Sequence, residues 1–179
     1  VWPQSSLVVE DDTHHAMLAG YLRAGQHAEP NLATVASLTS TPTNAQTVWE
    51  SIARPLPTDD PVSGLRRKVI LGPPTPWSRA GIDPRWGFML GLWRRLEEAG
   101  IDTIIDLGRL ATPLTSTPQL IAAPIVEDAD MILVMIEARL RDVAGAHTMV
   151  EGLAEQMNLA GAHQRLGLLV HRGGAARGV

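Results

Sequence analysis

Five short apolar runs are spaced along the chain, and none of them alternates with polar residues. A strand with one face in solvent alternates apolar and polar positions, whereas a parallel strand covered on both faces reads as a continuous apolar run. The pattern therefore predicts five strands of a mostly parallel sheet. The runs are Ser6 to Val9, Val69 to Leu71, Thr103 to Ile105, Met131 to Ile136 and Leu166 to Val170.

Helical periodicity fills the chain between these runs. From Asp83 to Gly100, the spacing predicts a helix with Asp83 as N-cap, Pro84 at the first helical position and Gly100 as the left-handed stop. A second helix is predicted from about Leu140 to Met157. The apolar face of the first helix is expected to pack in the core, and it comprises Trp86, Met89, Leu90, Trp93 and Leu96.

The remaining segments are shorter. Residues 16 to 54 predict two or three short helices, and the proline-rich stretches 55 to 64 and 71 to 81 predict surface loops. Strands that alternate with helices predict right-handed crossovers and an α/β fold. We expect a doubly wound, mostly parallel sheet with helices on both faces, in a single nucleotide-binding-like domain over residues 1 to 179.

The amino-acid composition favours an ordinary globular domain over a membrane-spanning protein or a basic DNA-binding protein. The chain has 179 residues, a formal net charge of -4, 45% hydrophobic residues and no cysteine, which is ordinary for a globular domain. No run approaches the roughly 18 consecutive apolar residues of a membrane span. The mild acidity does not indicate nonspecific DNA binding, which usually requires a basic surface. We expect a cytoplasmic protein with no membrane span.

The densest polar cluster directly follows the first apolar run and reads EDDTHH from Glu10 to His15. In a parallel sheet, ligands bind beyond the carboxyl ends of the strands, so these carboxylates could position Mg²⁺ through water. Alternatively, Asp12 or Thr13 caps the next helix and the histidines lie in solvent. A transition-metal site of Asp12, His14 and His15 is a third interpretation, although adjacent histidines on a helix point in different directions.

The third apolar run ends in Asp106, followed by Leu107 and Gly108. A strand that ends in Asp-x-Gly has the form of a Walker B segment, whose Asp holds Mg²⁺ directly or through water. Asp106 could equally form a loop or cap a helix. Arg109 could contact a phosphate or form a surface ion pair with Asp106.

The phosphate-binding motif G-x-x-x-x-G-K-[ST] occurs nowhere in the chain. Lys68 is the sole lysine, and it lies inside a strand pattern. The segment from Gly72 to Gly81 cannot form a phosphate nest, because its prolines remove the backbone N–H donors that a nest requires. Hydrolysis by these 179 residues alone is therefore not expected.

Taken in order, five segments resemble the actinobacterial MinD-like ATPases of the ParA/MinD class: WPQSSLVVEDD, AGYLR, DTIIDLGRL, EDADMILVMIEARLRDVAGA and RLGLLVHRGG. The resemblance implies a first strand, a Gly-rich lysine loop and a helix upstream of Trp2, so that the chain would be truncated at its N-terminus and possibly at its C-terminus. It also implies that Asp130 matches the acidic residue before the next strand, and that the loop after Val170 approaches the base.

The resemblance further implies ATP and Mg²⁺ as cofactors, a homodimer formed on ATP, and a protein partner or cargo that is positioned, partitioned or assembled. Asp12 and Asp106 would then be the catalytic residues and would hold Mg²⁺ through water. The residues that would contact the nucleotide are Glu10, Gly108, Arg109 and Arg172.

Two departures from the family pattern leave the enzymatic activity uncertain. Thr13-His14-His15 replaces the small residues expected after Asp12, and Leu107-Gly108-Arg109-Leu110 replaces the proline-rich switch. One alternative is therefore a degenerate pseudo-ATPase adaptor that binds a protein partner through residues 55 to 81 and the face with Arg94 and Arg95. Another is a metal-dependent or small-molecule enzyme centred on Glu10 to His15.

Overall fold

The structure is a computed structural model that describes residues 4–11, 18, 22, 30–38, 45–57, 64–73, 75, 79–108, 123–158 and 165–171. The chain divides into two compact units, Val1–Leu110 and Ala111–Val179. Each unit contains α-helices and β-strands and is described by itself below. The expectation of a single domain over residues 1 to 179 stays a prediction.

The first unit is built on a four-stranded, mostly parallel sheet. Its strands are β1 (Ser5–Glu10), β2 (Arg54–Pro55), β3 (Arg67–Ile70) and β4 (Ile101–Asp106). Their order across the sheet is β2-β3-β1-β4. The strands β3 and β4 both pair with β1 in parallel, whereas the two-residue strand β2 pairs with β3 in antiparallel orientation at the edge.

The direction of the chain across this sheet reverses at β1. The chain leaves β1 to form β3 on one side, and it then returns to form β4 on the other side of β1. Such a reversal is a topological switch point, where two connections diverge and leave a crevice beyond the carboxyl ends of the strands. In this sheet, the switch point lies between β1 and β4.

The helices of the first unit are short except for the last. They are α1 (Leu32–Ser37), α2 (Ala45–Thr47), α3 (Arg79–Ile82) and α4 (Trp86–Glu98). Helix α2 runs on into a π-helical turn, Val48–Ile52, and α3 into a 3-10 turn, Asp83–Arg85. Helix α1 contacts α3 and α4, α2 contacts α4, and α4 contacts β4.

The prediction for α4 is confirmed at its apolar face and at its end, but not at its start. Trp86 and Met89 are fully buried, and Gly100 has a φ of +77°, which a left-handed helix stop requires. The prediction that Asp83 is the N-cap is wrong. The chain is already helical from Arg79, so Asp83 and Pro84 lie in a 3-10 turn between two helices and no isolated helix start needs a side-chain cap there.

The core of the first unit lies between these helices and the sheet. Leu7 and Val9 of β1 and Val69 and Ile70 of β3 are fully buried. Strand β1 is thus covered along most of its length, as its continuously apolar sequence predicts. The large helical side chains that complete this core are Leu32, Val35, Val48, Trp49, Ile82, Trp86, Met89, Trp93 and Leu96.

The second unit contains helix α5 (Ala123–Asp128), strand β5 (Ile132–Glu137), helix α6 (Leu140–Asn158) and strand β6 (Leu166–His171). Strands β5 and β6 pair in parallel in a two-stranded sheet, and α6 connects them. The predicted strands and the predicted long helix are thus confirmed, with ends that differ by one or two residues. Arg165 donates to the carbonyls of Glu127 and Ala129, at the end of α5.

Burial in the second sheet differs from the expectation. Val134 of β5 and Leu153 of α6 are buried, and α6 contacts β5. On the opposite face of the sheet, the side chains of Leu133, Met135 and Leu169 are 56%, 68% and 48% exposed. Leu168 and Val170 of β6, on the same face as Val134, are each 51% exposed. Among the residues that the structure describes in this unit, the predicted coverage is therefore present only at β5 and only on one face.

Candidate functional site

The carboxyl ends of β1 and β4 bring acidic residues together at the switch point. Glu10 and Asp106 occupy paired positions in the parallel ladder, and the backbone N–H of Asp11 donates to the carbonyl of Asp106 at 2.8 Å. Strand pairing thus places the residues after the first and third apolar runs side by side. The strand pattern of the sequence predicts that these acidic residues lie at one edge of the sheet, because parallel strands present their carboxyl ends at the same edge.

Asp106 begins a tight turn that exposes its side chain. The Oδ1 atom accepts a hydrogen bond from the backbone N–H of Gly108 at 2.9 Å, and Gly108 has a φ of +70°. Only glycine adopts this conformation without strain, which gives the Asp-x-Gly sequence a structural reason. The exposed carboxylate retains lone pairs that could accept a hydrogen bond from a metal-bound water.

Glu10 is in a different environment from Asp106. Its side chain is 2% exposed, its Oε1 atom accepts from the backbone N–H of Leu18 at 3.0 Å, and its Oε2 atom accepts from the backbone N–H of Gly72 at 2.9 Å. The buried carboxylate is therefore already engaged by the protein's own backbone. The sequence shows an acidic residue here, but nothing in the sequence pattern indicates Leu18 and Gly72 as its partners.

Lys68 lies within β3, as predicted, and its ammonium group contacts residues of the π-helical turn Val48–Ile52. The Nζ atom donates to the carbonyl of Trp49 at 2.6 Å, lies 4.9 Å from the centroid of the Trp49 ring and is 3.8 Å from a carboxylate oxygen of Glu50. The side chain is 11% exposed. The single lysine thus contributes to packing in the first unit.

Several predicted site residues lie outside the described residues: Asp12, Thr13, His14, His15, Arg109 and Arg172. Their roles stay predictions. Among the described residues, no group of three or more His, Asp or Glu side chains could hold a metal ion. Asp130, which the resemblance matches to the acidic residue before the next strand, is exposed immediately before β5 in the second unit.

Three tryptophan side chains pack in the core of the first unit and are not available for stacking on a base. Trp49, Trp86 and Trp93 are 3%, 0% and 4% exposed, so they pack in the core. Stacking on a base requires an accessible ring face. Trp77 lies outside the described residues.

Comparison of the chain with family models, with curated proteins and with solved structures finds no match. The resemblance to the ParA/MinD class therefore stays a prediction from the quoted segments. Within the described ranges, no helix is long and apolar enough to cross a membrane.

Proposed function

We propose that the chain is part of a ParA/MinD-like protein that binds ATP and Mg²⁺ beyond the carboxyl ends of β1 and β4. One observation supports this most: Asp106, in an Asp-x-Gly turn, is paired with Glu10 at the point where the strand order reverses. Mononucleotides in parallel sheets bind at such a switch point. Asp106 would hold Mg²⁺ through water, together with Asp12.

The finer architecture is part of the same proposal. We propose a doubly wound sheet with helices on both faces, since a parallel sheet requires cover on both sides. The parallel strands and the reversal at β1 support it. Helix α1 contacts α3 and α4, and α2 contacts α4, so these four helices form one connected group. Helices on the second face of the sheet are part of the proposal.

The phosphates would be held by a Gly-rich lysine loop that residues 1 to 179 do not contain. Strand β4 has an open parallel edge on the side away from β1, within the part of the first unit that is described. A strand that pairs with this edge would end beside Asp106, so a loop after it would present phosphates close to the metal-binding carboxylate. We therefore propose that the strand before the loop pairs with this edge of β4.

In the cell, we propose that ATP drives two copies of the protein to dimerise, and that the dimer recruits a partner for positioning, partitioning or assembly of a cargo. The switch between the monomer and the dimer would be set by the γ-phosphate and its Mg²⁺. We place the protein in the cytoplasm, where ATP is present.

The test is calorimetry of the full-length protein with ATP and Mg²⁺. Asp106→Asn removes the negative charge at the proposed metal site, and we expect ATP affinity in Mg²⁺ to fall at least about tenfold, because Mg²⁺ favours charged oxygen ligands. Glu98→Gln, which removes the same charge from an exposed position at the end of α4, should leave the affinity unchanged. An encoded sequence that lacks a Gly-Lys-[ST] loop upstream of Val1, or no saturable ATP binding, would contradict the proposal.

A second candidate is a pseudo-ATPase adaptor, which keeps the fold and binds a protein partner without hydrolysis. The engagement of Lys68 by Trp49 and Glu50 favours it, since the chain's one lysine is held away from the carboxyl edge of the sheet. The adaptor would bind its partner through residues 55 to 81 and through the exposed Arg94 and Arg95 on α4. Saturable, Mg²⁺-dependent ATP binding by the full-length protein would count against this candidate.

A further inference from the structure

Glu10 connects two segments that are far apart in the chain. Its two carboxylate oxygens accept from Leu18, which is 8 residues away, and from Gly72, which is 62 residues away. Leu18 follows β1 and Gly72 follows β3, so one side chain joins the segments that leave two neighbouring strands at the same edge of the sheet. The carboxylate is 2% exposed, and its hydrogen bond from Gly72 is buried, whereas the one from Leu18 is partly buried.

The approach of Gly72 to Glu10 leaves little room for a side chain at position 72. A Cβ atom there would lie 3.1 Å from the backbone oxygen of Glu10, 3.2 Å from its Cγ and 3.3 Å from its Oε2. The glycine therefore lets the backbone come close enough for its N–H to reach the carboxylate. The two residues form a matched pair, in which each depends on the identity of the other.

We infer that Glu10 is a positioning residue, which holds the segments after β1 and β3 at the rim of the candidate site. The segment after β1 begins with Asp11, whose N–H donates to the carbonyl of Asp106, and continues to Asp12. Loss of the Glu10 hydrogen bonds would release two segments: the chain that follows these acidic residues, at Leu18, and the neighbouring segment after β3, at Gly72. The proposed role in ATP binding rests on the function proposed above, whereas the role in holding the two segments does not.

Two variants of Glu10 distinguish the role of its two hydrogen-bond acceptors from that of its negative charge. In Glu10→Gln, one acceptor oxygen becomes an NH₂ group that faces a backbone N–H, so one hydrogen bond is lost and two donors oppose each other. Glu10→Asp keeps the charge, but its side chain is one methylene shorter and cannot span both amides. Glu97→Gln is the control, because it makes the same change at an exposed position of α4.

The first measurement is amide hydrogen exchange without nucleotide, followed by NMR of each variant. In Glu10→Gln, we expect protection to fall at least about tenfold at whichever of the Leu18 and Gly72 amides faces the new NH₂ group, which corresponds to the loss of one hydrogen bond. Amides of the β1–β4 ladder, such as that of Val8, should keep their protection. A uniform loss across the sheet, or no change at Leu18 and Gly72, would overturn the inference.

The wild-type protein provides a measurement that does not depend on whether a variant folds. Neither the Leu18 nor the Gly72 amide belongs to a strand ladder, and each donates a hydrogen bond to Glu10, so we expect both amides to be protected from exchange in the wild-type protein. If either amide exchanges at the rate of an unstructured peptide, Glu10 does not hold it and the inference is wrong.

The last measurement links Glu10 to the candidate site. In the full-length protein, Glu10→Gln should weaken Mg²⁺-dependent ATP binding by about tenfold. The unfolding midpoint of the apoprotein should shift no further than it does for typical single substitutions, which shows that the variant is still folded. Normal ATP affinity combined with lost protection would overturn the link to the site. Absence of ATP binding in the wild-type protein would instead overturn the proposed function and leave the exchange result standing.

Discussion

One central strand of the first sheet and the first strand of the second sheet have similar patterns of apolar residues, but their side chains differ in burial. Strands β1 and β5 are both six residues long and continuously apolar at their centres. In β1, Leu7 and Val9 are fully buried, whereas in β5 only Val134 falls below a tenth exposed and Met135 is 68% exposed. The difference shows that an apolar run predicts a strand but does not by itself tell which of its faces is covered.

The largest expected difference between the two units comes from removing one large side chain in each. Trp86 is fully buried, so we expect Trp86→Ala to lower the free energy of unfolding by about 3 to 5 kcal/mol. Met135→Ala, at an exposed position of β5, should change it by no more than about 0.5 kcal/mol. Urea unfolding followed by circular dichroism measures both, and a large loss in Met135→Ala would show that β5 is covered in solution.

The second test uses glycines in the first unit. Gly72→Ala would place a Cβ atom against the backbone and side chain of Glu10, so we expect a loss of about 1 to 3 kcal/mol in unfolding free energy. Gly91 lies in α4 with open space around it, and Gly91→Ala should stabilise the protein by about 0.5 to 1 kcal/mol through helix propensity. Equal effects of the two substitutions would contradict the packing at Gly72.

A smaller effect is expected at the start of α1. The side chain of Asn31 accepts from the N–H groups of Ala33 and Thr34, and the Thr34 hydroxyl accepts from the N–H of Asn31. Asn31→Ala removes this capping box and should cost about 1 kcal/mol. Ser37→Ala at the exposed end of the same helix, where the hydroxyl donates to the Thr34 carbonyl, is the control and should be close to neutral. Thermal unfolding distinguishes the two.

The smallest effect is expected at Gly167 in β6, which repeats the Gly72 experiment in the second sheet. A Cβ atom at Gly167 would lie 2.8 Å from Cδ2 of Leu133, which is the end of an exposed side chain and can rotate away. We therefore expect Gly167→Ala to change the unfolding free energy by less than about 1 kcal/mol. A loss as large as that of Gly72→Ala would indicate that Leu133 is held in place and that this face is covered.

Much of the first unit could be predicted from the sequence. The strands, the end of α4 at Gly100 and the apolar face around Trp86 all follow from local patterns of residue type. The start of α4 could not be predicted in this way, because Asp83 and Pro84 are typical of a helix start and of a turn between helices alike. The two-residue strand β2 was missed, since it is defined by its pairing with β3 and not by its own sequence.

The candidate site, too, could be predicted from the sequence only in part. The acidic residues after β1 and the Asp-x-Gly turn at Asp106 are visible in the sequence, and the parallel topology that brings them to one edge follows from the strand pattern. The hydrogen bonds from Leu18 and Gly72 to Glu10 join residues up to 62 positions apart, and no local pattern encodes such a contact. A polar side chain can serve as a ligand or as a structural anchor, and only its neighbours in space distinguish the two.

The order of residue types alone determined that this chain forms parallel strands joined by helices, because backbone propensity and the period of apolar positions are local properties. Tertiary structure alone decided that Glu10 is buried between two backbone amides while Asp106 is exposed, although both are acidic residues at the ends of paired strands. Burial and hydrogen bonding depend on segments that meet only after folding, and these two properties set what a carboxylate can do.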